Sequence, residues 1–420
     1  MSPELLSYEE AARLVAAHAA QLTPCGRIES VALSRARGRV LARPLVADLD
    51  QPPFPRATRD GFACRAEEAS RHQPLAIAGA SRAGDPPSGP LPPGAAWEIM
   101  TGAPVPAGAD AVMMIEHVET AGHSRTATVR LLPPRTIAAG ENVVEQGAQA
   151  RAGQELLAPG AVIEAGQIAL AAACGYAELC VFARPRVAIL ATGDELVPVE
   201  AKPGPGQIRN SNGPMLAAMV EAAGGDPWLL PAAADSAGAL DAAIAEARTA
   251  DLVLITGGVS AGKFDLVEPA LARAGATLHF TGVKIQPGKP AVFGEFPADS
   301  PDQKKNGAKC FGLPGNPVSS AVTFLLFVAP VLAALAGRRD GGPRFALARL
   351  GAAVAHRPGL TRFLPAASSF GSANEPPEVS LIPWQGSGDL TALARANCFL
   401  VVPEGLERLE AGAAVRILLP

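Results

Sequence analysis

Apolar positions recur at helical spacing almost from the start of the chain. Ala11, Leu14, Val15 and Leu22 follow a Ser7-Tyr8-Glu9-Glu10 segment with the spacing of a capping box, so an amphipathic helix is predicted there. Residues 27–48 switch to short alternating runs (ESVAL, GRVLARPLVA), the pattern of strands. From about Asp50 to Ala150, Pro-rich turns such as QPPFP and GAPVPAGAD separate short β-like runs (AVMMIEHVET, TATVRLLP), which predicts a small inserted β module. Residues 151–182 return to mixed helix and strand character.

Residues 185–336 alternate strand-like runs (RVAIL, DPWLLPA, DLVLITGG, ATLHFTGV, KCFGLPG) with helical patterns of 10–15 residues. The helical segments are SNGPMLAAMVEAA, with Ser211 or Asn212 as N-cap, DSAGALDAAIAEARTA, capped by Asp235 or Ser236, and FDLVEPALARAG. That alternation predicts βαβ units and a mainly parallel sheet. The tail from 338 to 420 reads as short strands again, consistent with a small barrel or sandwich. The predicted fold class is therefore multidomain α/β and β. A central α/β domain with a mainly parallel sheet (183–337) is joined by an inserted small β domain (50–150), a mixed N-terminal domain (1–49 with 151–182) and a C-terminal β-barrel-like domain (338–420).

Composition narrows the classes. At 420 residues, 48% hydrophobic and 18% charged, the chain has enough apolar residues for several cores. A net charge of −4 gives no overall attraction to nucleic acid or to an anionic membrane. Cys25, Cys64, Cys174, Cys180, Cys310 and Cys398 stand far apart without a C-x-x-C, so reduced, mostly buried thiols are expected rather than a zinc site. No basic segment followed by an apolar run opens the chain, and a cytoplasmic location is expected. Pro317–Ala336 has the length and apolarity of a membrane span. It contains Pro330 and follows a turn-rich LPGNP segment, so a helix buried in the core is expected. The six histidines include no i, i+4 pair and are read as structural or surface residues.

Ligands of parallel sheets bind beyond the carboxyl ends of the strands, and the polar motifs fall there. RVAIL leads to Thr192-Gly193-Asp194-Glu195, DLVLI to Thr256-Gly257-Gly258-Val259-Ser260 and on to Asp265, and KCFG to Leu313-Pro314-Gly315-Asn316-Pro317-Val318-Ser319. Gly-rich turns that open helices present backbone N–H groups to anions such as phosphate. Lys289, in the rigid Gln286–Pro290 turn, adds a cation, and Glu195, Asp235 and Asp265 add carboxylates. Each feature alone is ordinary: a TGG turn is often only a tight turn, and Asp235 is a natural N-cap. Together they point to a magnesium-assisted phosphate ester or anhydride substrate. No G-x-S-x-G, H-E-x-x-H or Walker-type P-loop motif occurs.

These motifs resemble those of the molybdopterin molybdenumtransferase family (MoeA and the related domain of gephyrin). The resemblance spans nearly the whole chain. It rests on PPFPRATRDGFA, IMTGAPVPAGADAV, ATGDEL, GQIRNSN, ITGGVSAGKFD, QPGKP, LPGNPVSS and WQGSGDL…ANCFLVVP. It implies four domains, the mixed one serving dimerisation, and a homodimer whose active site uses both subunits. The implied reaction takes adenylylated molybdopterin and molybdate to molybdenum cofactor, with magnesium-assisted release of AMP. By motif, Gly257, Gly258, Ser260 and the Pro314–Ser319 turn (Pro314, Gly315, Asn316, Pro317, Ser319) would hold the pterin phosphate region or molybdate. Glu195, Asp235 and Asp265 would bind magnesium or position the attacking water. Lys289 would neutralise anionic oxygens, Asp60 and Thr101 would reach across the dimer, and Ser387 would complete the molybdate side.

A molybdopterin adenylyltransferase and molybdoenzyme or carrier proteins are the implied partners, with neither nucleic acid nor membrane. The chain departs from the family pattern at three positions. Gln286 and Gln149 stand where many members carry Lys and Asp, and Pro365 stands where many carry Arg, with Arg362 three residues before it. These departures keep a second reading open, a divergent carrier or scaffold for molybdopterin without efficient insertion. A nucleotide phosphohydrolase or amidase on the same α/β domain is a third reading, which the inserted β module and the C-terminal β domain disfavour.

Overall fold

The structure, a computed structural model, describes residues 5–24, 26–86, 89–123, 126–259, 266–298, 307–369 and 376–420. It divides into two compact units. One comprises Met1–Ala42, Pro159–Ala165 and Glu178–Pro420, the other Arg43–Ala158 and Gly166–Ala177.

In the larger unit the capping box forms as the sequence predicts. The Glu10 N–H donates to Ser7 Oγ at 3.2 Å, and the Ser7 N–H donates to Glu10 Oε2 at 2.8 Å. The helix runs Tyr8–Gln21, and Ala11 and Val15 bury its apolar stripe in the main core beside Phe293 and Leu332.

The central sheet has the strand order Asp226–Leu229, Arg186–Ala191, Leu252–Thr256, Lys309–Leu313, Val292–Glu295, Thr277–Phe280. The first four strands are parallel and the last two antiparallel. All five residues of Leu252–Thr256 are buried because both faces of the sheet are covered. Leu252 and Leu254 face a core that includes Leu216, Val220 and Leu332. Val253 and Ile255 face Leu240, Ile244, Val267 and Leu271. The sequence pattern did not mark Val292–Glu295, a four-residue strand that contains Gly294 and follows the Pro-rich turn.

At two helices the structure chooses between the expected N-caps. Ser211 stands at the N-cap of the helix Asn212–Ala222, although its side chain makes no capping bond. The Asn210 carboxamide accepts from the Gly213 N–H at 3.0 Å instead, which frees Asn212 for other work. Ser236, not Asp235, caps Ala237–Ala247, so the Asp235 carboxylate is available elsewhere. The membrane-like run becomes one helical rod, Pro317–Leu335, of mean hydropathy 2.3 with 83% of its most apolar window buried. It is apolar because it lies in the core. A π-helical segment, Phe324–Val328, interrupts it.

Five strands at the C-terminus close on themselves: Thr361–Ser369, Glu378–Leu381, Phe345–Leu350, Ala414–Leu418 and Cys398–Val402, which pairs back to Thr361–Ser369. The short strand Ile285–Gln286 joins this barrel in parallel, with Gln286 opposite Arg362. The smaller unit is built around a six-stranded sheet whose core includes Phe62, Cys64, Met113 and Leu131, the β module expected from the Pro-rich turns. The five described cysteines are free thiols. Burial pushes Cys64 and Cys310 up to about 12, so both remain protonated and inert near neutral pH.

Candidate functional site

Three parallel strands end level with one another, Ala191 opposite Thr256 and Thr256 opposite Leu313. The turns beyond them are stitched by the Thr192 N–H donating to Thr256 O at 3.0 Å and the Gly257 N–H to Leu313 O at 3.1 Å. Gly257 has φ +98°, and a Cβ there would stand 2.4 Å from Thr192 O, so only glycine lets the two turns approach this closely. Above them opens a cleft of about 1290 Å³. That exceeds the roughly 300–1,000 Å³ of most small-molecule sites and suits a substrate as large as a nucleotide conjugate.

The floor of the cleft is a buried polar network. Asn212 Nδ2 donates to Thr256 Oγ1 at 2.9 Å and to Gly315 O at 2.7 Å. Thr256 Oγ1 lies 3.3 Å from both Pro314 O and Ser320 Oγ, and Ser320 Oγ itself donates to Pro314 O. Asn212 is 8% exposed and Ser320 fully buried, so each bond forms away from water, where losing it is costly. Asn212 Oδ1 is buried without a partner among the described residues. The network joins the helix start at Asn212, the turn after Thr256 and the Pro314–Asn316 turn. By sequence its Asn is a candidate helix cap within the GQIRNSN motif, with no role in the site assigned to it.

Most of the expected site residues meet in this cleft. Glu195 and Asp235 line it, as do Gly257 and Gly258. Thr192 Oγ1 donates to Asp235 Oδ1 at 2.6 Å, and the Asp235 N–H donates to Asp194 Oδ1 at 3.0 Å, which fixes that carboxylate at the strand end. Lys289, exposed, lines the cleft with the rest of its turn, including Gln286. The Pro314–Pro317 turn and Ser319 line it too, at the start of the long core helix.

Ser387 arrives from the C-terminal region. Its Oγ accepts from Asn316 Nδ2 at 2.9 Å and its backbone O from the Val318 N–H at 3.0 Å. Asp389 secures this loop, accepting from the Ala392 N–H and the Gln385 N–H, both at 3.0 Å. Those two backbone donors hold its carboxyl below the usual aspartate range.

Other residues stand elsewhere. Ser260 and Asp265 lie outside the described residues. Asp60 and Thr101 belong to the smaller unit, where they form an exposed pair. Asp60 Oδ1 accepts from the Thr101 N–H at 2.7 Å and from its hydroxyl at 2.8 Å, and these bonds lower the Asp60 pKa. Arg362 is not among the residues that line the cleft; its guanidinium donates to Arg357 O at 3.3 Å. Pro365 is buried in a barrel strand opposite Phe399.

An α/β domain with a polar cleft at its strand ends, a separate β unit and a terminal barrel define a multidomain protein of the MoeA class. Residues 6–175 match the MoeA N-terminal region (domain I and II), 188–334 a probable molybdopterin binding domain, and 347–419 the MoeA C-terminal region (domain IV). The molybdopterin molybdenumtransferase of Nostoc sp. is 38% identical over 319 residues, 74% of this chain and 70% of that protein. The one of Bacillus subtilis is 34% identical over 405 residues, 94% and 90% of the two chains. The molybdopterin biosynthesis moeA protein from Pyrococcus horikoshii superposes with a TM-score of 0.81 at 29% identity, covering 99% of this chain and 100% of that one. The chain belongs to the molybdopterin molybdenumtransferase family.

Two outcomes follow for the cleft. Asn212→Ala removes the bonds to the Gly315 carbonyl and to the Thr256 hydroxyl, which keeps Pro314 and Ser320, and is expected to cost about 1–3 kcal/mol in urea unfolding. The Asp389 carboxylate has a lowered pKa when folded, so its contribution is full above the unfolded-chain value of about 3.9. It is lost as pH falls from there through the lower folded value. Thermal melts from pH 6 down to pH 2.5 are expected to show a shallower acid-side decline in Asp389→Asn than in the unaltered protein; parallel declines would remove Asp389 from the loop's support.

Proposed function

We propose that this protein completes molybdenum cofactor biosynthesis as a molybdopterin molybdenumtransferase, exchanging the adenylyl group of adenylylated molybdopterin for molybdate with release of AMP. The observation that carries this reading is the meeting of opposite chemistries in one cleft. Carboxylates of Glu195 and Asp235, the Lys289 ammonium and the backbone of the Pro314–Asn316 turn all line it. The names of the relatives and the matched molybdopterin binding domain supply the substrate class.

The donor set fits magnesium. Glu195 and Asp235 offer hard carboxylate oxygens, and this ion is commonly held by one or two carboxylates together with substrate phosphates. When bound, it would neutralise charge on the phosphoanhydride; Asp265 is proposed to complete the acidic set. The chain's own residues do the remaining work. The Gly257–Gly258 and Gly315–Asn316 backbones, the second at the head of a helix, cradle anionic oxygens. Lys289 balances the charge that develops on the anhydride oxygens as the pterin phosphate is expelled. Thr192 keeps the Asp235 carboxylate aimed. Water attacks the adenylyl phosphorus, and the bond from that phosphorus to the bridging anhydride oxygen breaks. The pterin phosphate is expelled, and AMP is released with the water's oxygen. As the two dithiolene sulfurs bind molybdenum, one molybdate oxygen departs as water with the two thiol protons. Phosphoryl transfer of this kind needs positioning and charge neutralisation more than covalent help from the protein. In this reading the protein works in the cytoplasm as a homodimer, and Asp60 and Thr101 act on the partner chain's cleft.

Purified protein given adenylylated molybdopterin and Mg²⁺, with and without molybdate, is expected to release AMP and form metal-loaded cofactor only when molybdate is present. Tight binding without AMP release would instead support the carrier reading that Gln286 and Pro365 keep open. Glu195→Gln and Lys289→Ala are each expected to slow AMP release by roughly two orders of magnitude with the melting temperature unchanged. Mixed dimers of Asp60→Ala and Asp265→Asn chains are expected to regain part of the activity that each variant lacks alone; no recovery would place the whole site within one chain.

A further inference from the structure

Away from the cleft, at the antiparallel edge of the central sheet, the fold gathers three side chains that are far apart in sequence. His18 lies in the last turn of the helix Tyr8–Gln21, His279 on the edge strand Thr277–Phe280, and Glu295 at the end of the neighbouring strand Val292–Glu295. One potential ligand atom from each lies within 4.8 Å of the other two. The imidazole rings of His18 and His279 stand 4.1 Å apart, both against Phe293.

We propose that His18, His279 and Glu295 form a binding site for a zinc-type divalent metal ion, pinning the N-terminal helix to the edge of the central sheet.

Four observations favour a ligand here over a chance cluster. First, the edge strand pairs Leu278 with Gly294 and Phe280 with Phe293, leaving His279 as the unpaired residue of a β-bulge. Such bulges re-aim one side chain at the expense of the ladder. Second, His279 Nε2 is buried and has no hydrogen-bond partner among the described residues. A neutral imidazole nitrogen left this way is a ready metal ligand. Third, Glu295 is already oriented. Its Oε2 accepts from the Lys309 ammonium, a buried group, while its Oε1 lies 3.6 Å from His279 Nε2. A second charged residue fixing a ligating carboxylate is the usual outer support of a metal site. Fourth, the side chains of His279 and Glu295 are 15% and 32% exposed, so an ion can enter from solvent.

Two imidazoles and one carboxylate suit zinc among the common divalent ions, and water would supply the fourth position. Around a tetrahedral ion with bonds of about 2.0 Å, ligand atoms stand about 3.3 Å apart. The three groups, within 4.8 Å of one another, therefore need to close by up to about 1.5 Å, within reach of side-chain rotation. Burial and the neighbouring His18 hold the His279 pKa below the usual histidine value, keeping the ring in its metal-binding form near neutral pH. This inference is independent of the proposed function, because none of the three residues lines the cleft.

The test uses full-length protein stripped with chelator and then titrated with Zn²⁺ in excess Mg²⁺, which occupies oxygen-ligand sites. Bound zinc is measured by elemental analysis and by competition with a chromophoric chelator. The expected result is about one tight Zn²⁺ per chain, a higher melting temperature with Zn²⁺ than in EDTA, and about tenfold or greater loss of affinity in both His18→Gln and His279→Gln. Both variants should melt like the unaltered protein in EDTA. If His279→Gln does not fold, His18→Gln, on a partly exposed helix position, decides alone. Absence of stoichiometric zinc, or zinc held as tightly by a folded variant as by the unaltered protein, would overturn the site.

Discussion

One carboxamide holds the cleft together. Asn212 sits where three chain segments meet, and its Nδ2 group bridges the hydroxyl of Thr256 and the carbonyl of Gly315. A parallel sheet places its strand ends side by side, but it does not dictate how the turns beyond them lie. Those turns are largely polar backbone, and packing alone gives them little definition. A buried amide that must satisfy its own donors imposes a geometry, because each unmet bond away from water is penalised. The Gly257 close approach works in the same direction from below, drawing the second turn onto Thr192.

The rest of the cleft follows from that rigid floor. Once the Pro314–Asn316 turn is fixed, Asn316 can hold Ser387, and a loop from the C-terminal region becomes part of the same surface. Once Thr192 is fixed at the first strand end, its hydroxyl sets the direction of Asp235. Acidic, basic and backbone-donor groups thus line one volume while their charges remain on separate elements. Separation matters chemically, since a lysine paired directly with Asp235 would be spent on the protein rather than on a substrate oxygen.

Much of this was legible in the sequence. The capping box at Ser7, the alternation of strand and helix between 185 and 336, and the Gly-rich turns after RVAIL and DLVLI all obey local rules, and local rules leave local signatures. Most motif residues named from those turns do line the cleft. What escaped was non-local. Asn212 reads as a cap because nothing in its neighbours reveals Thr256 or Gly315, 44 and 103 positions away. His18 and His279 pass a search for helical pairs unseen, since their proximity comes from a helix packing on a bulged edge strand. Val292–Glu295 was too short, and too interrupted by glycine, to show its period. The apolar run 317–335 carries the composition of a membrane span, and only its burial in the core tells the two apart.

The Asn316–Ser387 tie has a consequence for the chain during synthesis. The cleft is assembled from segments near 192, 212, 256, 315 and 387, so a ribosome must translate about 195 residues beyond the first segment before the last emerges. A nascent α/β domain can fold earlier, yet it presents an unfinished cleft. Completion of the ligand site thereby waits for the loop around Ser387, and a chain that stops short of it lacks that side of the cleft.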